Sequence, residues 1–326
     1  MDQAVTIGLD IAKSVFQVHG VDLRGTVVIR RQVRRAQLLP FFARLPACLI
    51  GIEACATAHH WARELTKLGH QVRLMPPSYV KPYVKRQKND AADAEAICEA
   101  VTRPTMRFVE VKSVDQQSIM VLHRVRLMLM RQRIQLSNAI RGHMAEFGLA
   151  APIGREGLGT LIRLIAEGDE RVPAEARTCL GMLVAQLALI NDQILEADRR
   201  IRTNARATET GRRLMDVPGV GPLLASALVA SIPDPQAFRS GRNLAAWIGL
   251  VPRQNSSGGK ERLSGITKQG DRYLRQLLVV GAWPSYAMRN GTERGGHGWC
   301  NCWPGERQRS RARPWRTKPP GWSGRS

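Results

Sequence analysis

Acidic residues are scarce in this chain. Its 326 residues hold 27 Asp+Glu against 49 Lys+Arg, a formal net charge of +22. An excess of that size needs a polyanionic partner or a solubility reason, and nucleic acid is the default partner. Aromatic residues are also few, at 5%. No unbroken apolar run reaches the roughly 18–20 residues needed to span a bilayer. Asp2 and Asp10 flank the first apolar stretch, where a secretory signal would be basic and then apolar. No basic amphipathic helix stands alone as a membrane-surface anchor would. These absences predict a protein with no membrane partner that stays in the cytoplasm. The six cysteines, Cys48, Cys55, Cys98, Cys179, Cys300 and Cys302, form no Cys-x-x-Cys pair and no Cys/His spacing suited to zinc. They read as reduced, buried or incidental thiols.

What is present is an ordered series of elements. Residues 4–10 read as a buried strand ending in Asp10, and 14–20 and 26–31 as further strands around a turn at 22–25. Residues 36–45 suit a helix. Residues 47–53 form a second apolar strand that also ends in a carboxylate, Glu53. A helix over 57–68 is stopped by Gly69, and a short strand comes next at 71–75. A basic connection with Lys81, Lys85, Arg86 and Lys88 then leads to a helix over 89–101. Three closely joined strands predict an antiparallel meander, and later strands alternating with helices predict parallel crossovers. That order fits a ribonuclease-H-like (RuvC-like) α/β domain over residues 1–110. From 111 to 206, apolar residues at helical spacing predict two long helices, 113–147 and 173–204, paired as an antiparallel hairpin or coiled coil. Residues 207–290 predict an all-α domain. It has two short helices around Pro218-Gly219-Val220-Gly221, a helix near 241–248, a Gly/Ser-rich loop at 255–259 and a helix over 270–288.

Candidate chemistry lies at three places. Asp10 and Glu53 end strands, where open α/β sheets place their ligands. Asp90 and Asp93 are three apart and share one helix face. Each has an ordinary reading as a strand end, a helix cap or a rim charge. Together the four could hold two divalent ions. Hard oxygen donors suit Mg²⁺, and paired metals stabilise both oxygens of a phosphodiester displacement. The second place is Gly249-Leu-Val-Pro-Arg-Gln-Asn-Ser-Ser-Gly-Gly-Lys260, which has no Walker pattern. Two serines precede two glycines among Arg253, Lys260 and Arg262. Such a loop is either a plain polar connection or a device that presents a hydroxyl to a phosphate beside stabilising cations. The third is the Pro-Gly-Val-Gly turn. It is either an ordinary helix–helix turn or a helix-hairpin-helix, in which Gly219 and Gly221 free backbone N–H groups for phosphate contact. Lys85, Arg86 and Lys88 join Arg253, Lys260 and Arg262 as candidate nucleic-acid contacts.

Five motifs in order converge on one family. Gly8-Leu9-Asp10-Ile11-Ala12-Lys13, Gly51-Ile52-Glu53-Ala54, Lys88-Asn89-Asp90-Ala91-Ala92-Asp93-Ala94, Val217-Pro218-Gly219-Val220-Gly221, and Gly249-Leu250-Val251-Pro252-Arg253 with Ser256-Ser257-Gly258-Gly259-Lys260 resemble the DEDD transposases of the IS-one-ten family. The run Gly265 to Arg275 is similar to its IS-eleven-eleven subgroup. The resemblance covers residues 1–290. It implies an insertion-sequence transposase that recombines DNA. Asp10, Glu53, Asp90 and Asp93 would be the DEDD set on Mg²⁺. Ser257, the serine directly before Gly258, would be the nucleophile, with Ser256 as the fallback. It further implies donor and target DNA as partners, a structured non-coding RNA that guides by base pairing, and a homo-oligomer, dimer or tetramer, in which the two domains meet between subunits.

Residues 291–326 break the pattern. They contain no Leu, Ile, Val, Phe or Met, but four tryptophans, seven arginines and seven glycines. The family instead continues with a helix of the Leu-Ala-Asn-Lys-x-Ala-Arg type. Codons permitted for Pro314 to Ser326 can encode such a run in a shifted frame. The expectation is a frameshift near residues 291–298 and an irregular tail, with the activity of this copy left open. Two other readings of the chain are a RuvC-like nuclease that uses water in place of Ser257, and an inactive nucleic-acid-binding remnant.

Overall fold

The computed structural model of the chain describes residues 3–85 and 89–289. Its first part is mixed α/β. Strands β1 (Thr6–Ile11), β2 (Val15–Val21), β3 (Val27–Arg34), β4 (Leu49–Glu53) and β5 (Gln71–Met75) form one sheet in the order β3-β2-β1-β4-β5. The first three are an antiparallel meander, and β4 and β5 lie parallel to β1 and to each other. The turn after β2 is set by Asp22, whose Oδ1 accepts the N–H groups of Arg24 and Thr26 at 2.8 Å each. Strand β3 runs three residues beyond the expected Arg31. It is an edge strand on which only Val33 is buried, so its outer half shows no apolar alternation to read.

Period-two alternation sends Ile7, Leu9, Phe16, Val18, Ile50 and Ile52 to one face of the sheet. There they are buried with Leu38 and Phe42 of α1 (Leu38–Phe42) and Trp61 and Leu65 of α2 (Ala58–Lys67). A single turn, α3 (Pro77–Val80), comes after β5, and α4 (Asp90–Val101) covers the opposite face.

Next come α5 (Val114–Glu146), α6 (Arg155–Glu167) and α7 (Ala174–Ala207). Ser113 and Gln116 close a capping box at the start of α5. Leu129 meets Ile190 and Ile194, while Ile140 and Met144 cluster with Leu180 and Leu187. Contacts that climb along α5 descend along α7, so the pair is antiparallel. The sequence suggests only a connection over 148–172. The structure places α6 there, with Leu161 and Ile165 buried under the tip of the hairpin. By length and composition α7 is apolar enough to cross a membrane, with a window of mean hydropathy 1.4. Its residues Leu180, Leu187, Ile190, Ile194 and Ile201 are buried within the chain, and Asp198 pairs with Arg126.

The last part holds α8 (Glu209–Met215), α9 (Pro222–Ser231), α10 (Gly241–Ile248), β6 (Pro252–Gln254), β7 (Leu263–Ile266) and α11 (Arg272–Arg289). The expected frameshifted tail at 291–326 lies outside the described residues.

A buried polar chain ties this part to the long helices. His123 of α5 is 4% exposed. Its Nδ1 lies 3.0 Å from the Tyr273 hydroxyl and its Nε2 3.0 Å from Ser226 Oγ, which donates to Asn204 Oδ1 at 3.3 Å. Since Ser226 spends its proton on Asn204, it accepts from Nε2–H, and Nδ1 accepts from the tyrosine. One imidazole thus links α5, α7, α9 and α11. Burial first, then Arg126, pushes its pKa down to about 4. An unfolded chain protonates this histidine from about pH 6.5 downward and the folded chain does not, so stability falls as pH drops from about 6.5 toward 4. His123→Phe should lower unfolding stability by about 2–4 kcal/mol, because Tyr273 and Ser226 lose a buried partner. It should also remove part of that acid slope. Denaturant titrations at pH 7 and pH 5 check both, and an unchanged midpoint would show that the chain carries no stability.

Candidate functional site

The carboxylate site grows from the register of two parallel strands. Gly8 pairs with Gly51 and Leu9 with Ile52, so Asp10 and Glu53 are the next residues along neighbouring strands, on one face. The same alternation puts Gly8 and Asp10, and Gly51 and Glu53, on that face. The two glycines decide how closely a helix can approach. A Cβ on Gly8 would stand 2.1 Å from Ala94 O and 2.4 Å from Cys98 N, and one on Gly51 would stand 2.8 Å from Val101 Cβ. Helix α4 therefore rests directly on the strand backbone, and its first turn reaches the strand ends.

That first turn carries Asp90 and Asp93. The N-cap is Asn89, whose Oδ1 accepts from Ala92 N at 2.9 Å. This corrects the reading of Asp90 as a cap, since a neighbour fills that role. Carboxylate oxygens of Asp10, Asp90 and Asp93 all lie within 4.8 Å of one another. Glu53 stands outside that triplet but close enough to act on Asp10. The Asp10 carboxyl is pushed up to about 6, first by burial and then by repulsion from Asp93, Asp90 and Glu53. Among the described residues no cation forms an ion pair with Asp10, Asp90 or Asp93. Three mutually repelling hard oxygen donors, with no counter-charge among the described residues, fit a divalent cation.

The serine segment is a β-hairpin, where a loop was expected. Strand β6 pairs with β7, and Lys260 N donates to Ser257 O at 3.1 Å across Gly258 and Gly259. Both glycines have positive φ, +58° and +75°, as primed two-residue turns require. Residues 252–266 are exposed throughout. The two serines differ. Ser256 Oγ accepts from Gln254 Nε2 at 3.1 Å and from Arg262 N at 3.2 Å, closing the hairpin. The Ser257 hydroxyl has no hydrogen-bond partner among the described residues. Arg253, Lys260 and Arg262 lie on the same exposed hairpin, and none is ion-paired among the described residues.

The turn before α9 has Pro218 and Gly219 at its centre, closed by Val220 N to Val217 O at 3.0 Å. Gly219 has φ +87°, as the third residue of a type II turn demands. Its carbonyl lies so close to Gly281 that a Cβ there would stand 2.2 Å away, so α11 buttresses the turn. Gly221 is the exposed N-cap of α9, and no side chain caps that helix. Of the basic connection, Lys85 is bound to Glu95 at 2.6 Å. Arg86 and Lys88 lie outside the described residues.

Comparison with known proteins agrees with this geometry. Residues 7–148 match a family model described as a transposase, of DEDD IS110 type, and residues 211–295 match the transposase IS116/IS110/IS902 family. The chain belongs to the IS110 family of insertion-sequence transposases. It is 51% identical over 278 residues to a "Probable family 20 transposase" of Pseudomonas aeruginosa, covering 85% of this chain and 82% of the relative. It is 40% identical over 280 residues to the transposase for insertion sequence element IS1328 of Yersinia enterocolitica, covering 86% and 83%. It is 40% identical over 277 residues to that for IS1111A of Coxiella burnetii, covering 85% and 76%. This transposase is thus a DNA recombinase. DEDD transposases use a divalent metal, and the aspartate triplet is a cluster of oxygen donors that could hold one.

The sequence pointed to the carboxylates but not to Gly8 and Gly51, although a glycine two residues before each strand-end acid was a visible signal. Gly8→Val should weaken Mn²⁺ binding by about 10–100-fold, the usual effect of losing a support of a metal site. Gly142→Ala, where nothing lies within 4 Å of a new Cβ, should leave it unchanged. Mn²⁺ titration by electron paramagnetic resonance reads the difference, and equal affinities in both variants would contradict the seating of α4.

Proposed function

We propose that this transposase cuts and rejoins DNA by transesterification, with Ser257 as nucleophile and Mg²⁺ held by Asp10, Glu53, Asp90 and Asp93. The observation that carries the nucleophile is the contrast within the serine pair. Ser256 is committed as a double acceptor, whereas the Ser257 hydroxyl beside the hairpin tip has no partner among the described residues. The reading takes residues 1–110 as a RuvC-like carboxylate domain, 111–206 as a helical arm and 207–290 as the serine-bearing domain.

In the step itself, Ser257 Oγ forms a bond to the scissile phosphorus and the bond from phosphorus to a deoxyribose oxygen breaks. The serine proton ends on the freed sugar oxygen. One phosphodiester replaces another, so the link can be reversed onto a second strand without ATP. Arg253, Lys260 and Arg262 supply positive charge to the phosphoryl oxygens as charge spreads over them. A divalent ion, when bound, polarises the phosphoryl group and lowers the cost of charge on the oxygens that enter and leave.

An exposed two-stranded hairpin is marginal in water on its own. This supports a hairpin that seats on DNA or on the carboxylate domain of a second subunit, within a homodimer or homotetramer. The uncapped start of α9 and its Gly219–Gly221 turn offer backbone N–H groups to a phosphate, the role of a helix-hairpin-helix. We assign sequence choice to a structured guide RNA that pairs with donor and target DNA. The large basic excess then serves to hold RNA and DNA backbones.

Ser257→Ala should abolish the covalent protein–DNA adduct and cut strand exchange by roughly a thousandfold or more, with nucleic-acid binding intact. Ser256→Ala should keep the adduct. Trapping the adduct under denaturing electrophoresis separates the cases. An adduct that survives in Ser257→Ala moves the role to Ser256, and cleavage without any adduct in the wild type assigns it to water.

A further inference from the structure

We propose that the edge strand β3 carries the cut DNA strand away from the carboxylate site, with Arg30, Gln32 and Arg34 holding its backbone. The inference rests on the reading of Asp10, Asp90 and Asp93 as the place of the scissile phosphate. Its own ground is the sheet register. Asp10 pairs with the buried Gln17, and Gln17 pairs with the exposed Gln32, so Gln32 stands two strands from Asp10 on the same face. Arg30 and Arg34 lie two residues on either side of Gln32 and share its face, which is the face of Asp10. Strands lie about 4.8 Å apart, which puts Gln32 about 10 Å from Asp10. That distance spans about three nucleotides of B-form rise.

The side chains suit the task. Arg30, Gln32 and Arg34 are all exposed. Neither arginine forms an ion pair among the described residues. Beside Arg30, Glu95 is already taken by Lys85 at 2.6 Å, which leaves that arginine's donors open. Arginine presents a rigid fork of N–H donors that matches phosphate, and Gln32 adds an amide donor between the two forks. The strand also provides its own control. Arg31 and Arg35 point to the opposite face, where Arg31 lies over Phe41 and Arg35 over Trp61 at 5.9 Å and 5.0 Å from the ring centroids. The two pairs differ in face and not in charge. Duplex DNA is the committed occupant, because this face holds the site where the DNA strand is cut.

The test compares two double variants of the full chain, Arg30→Gln with Arg34→Gln, and Arg31→Gln with Arg35→Gln. Each binds a duplex oligonucleotide spanning one end of the element, in Ca²⁺ so that no chemistry intervenes. Circular dichroism melting first shows that both fold. The first variant should bind about tenfold more weakly, with a log–log salt dependence less steep by about 2. The second should change affinity less than twofold. Ethylated phosphates one to three nucleotides from the scissile bond should interfere with wild-type binding and cease to matter in the first variant. Equal losses in both variants would reduce the arginines to diffuse charge. No loss in either would leave them only the role of discouraging edge-to-edge pairing. Either result overturns the proposal. Failure of the serine assignment leaves these arms untouched, since they measure binding alone. Failure of the carboxylate reading shows separately, as a cleaved bond far from the interfering phosphates.

Discussion

The structure depends on one close contact, the seating of α4 on the bare backbone of Gly8 and Gly51. Strands β1 and β4 bring Asp10 and Glu53 side by side through their register alone. Neither strand can supply the remaining carboxylates. Those come from the first turn of a helix whose axis must lie near the sheet, and a methyl group on Gly8 would already collide with Ala94 and Cys98. Asn89 caps α4, so that neither Asp90 nor Asp93 fills the cap position. The positive end of the helix dipole also favours acidic groups there. Burial and the remaining repulsion together raise the Asp10 carboxyl, and a divalent cation held there would relieve both.

The serine segment is built in the opposite manner. The carboxylates sit on a buried sheet, whereas the serine hairpin is exposed along its length and held by turn geometry and the Ser256 hydroxyl. Precision at such a tip requires a rigid base. Arg275 provides part of it, donating to the carbonyls of Ile248 and Gln269 at 2.7 Å and 2.9 Å across the neck of the hairpin. The Tyr273–His123–Ser226–Asn204 chain provides the rest by locking α9 and α11 to the long helices. Helix α5, which starts directly after the α/β part, spans about 50 Å at 1.5 Å per residue over 33 residues. Its first third, through His123, takes part in holding α9 and α11.

Much of this was legible in the sequence, for identifiable reasons. Strands that end in an acid after a run of Val, Ile and Leu announce both the sheet and its functional edge. The long helices betray themselves by apolar spacing over many turns. The misses share a cause as well. Strands β6 and β7 bury nothing, so they show no alternation. Helix α6 is interrupted by Gly157 and Gly159, and Gly157 is needed where the chain passes against Pro152. Strand β3 looked shorter because an edge leaves Arg30, Arg31, Gln32 and Arg34 outside the core. His123 gave no signal, since its partners Ser226 and Tyr273 are 103 and 150 positions away and converge only in three dimensions. The difference between Ser256 and Ser257 is likewise a matter of which hydroxyl the hairpin consumes.

The central claim is that α4 delivers Asp90 and Asp93 to Asp10 and so makes a metal centre. Crystals of the full chain grown with Mn²⁺ and measured at a wavelength where manganese scatters anomalously test it most directly. The account predicts an anomalous peak bonded to oxygens of Asp10, Asp90 and Asp93, with Glu53 beside it. Anomalous density elsewhere with none at this cluster, or an α4 displaced so that its aspartates stand away from Asp10, would contradict it.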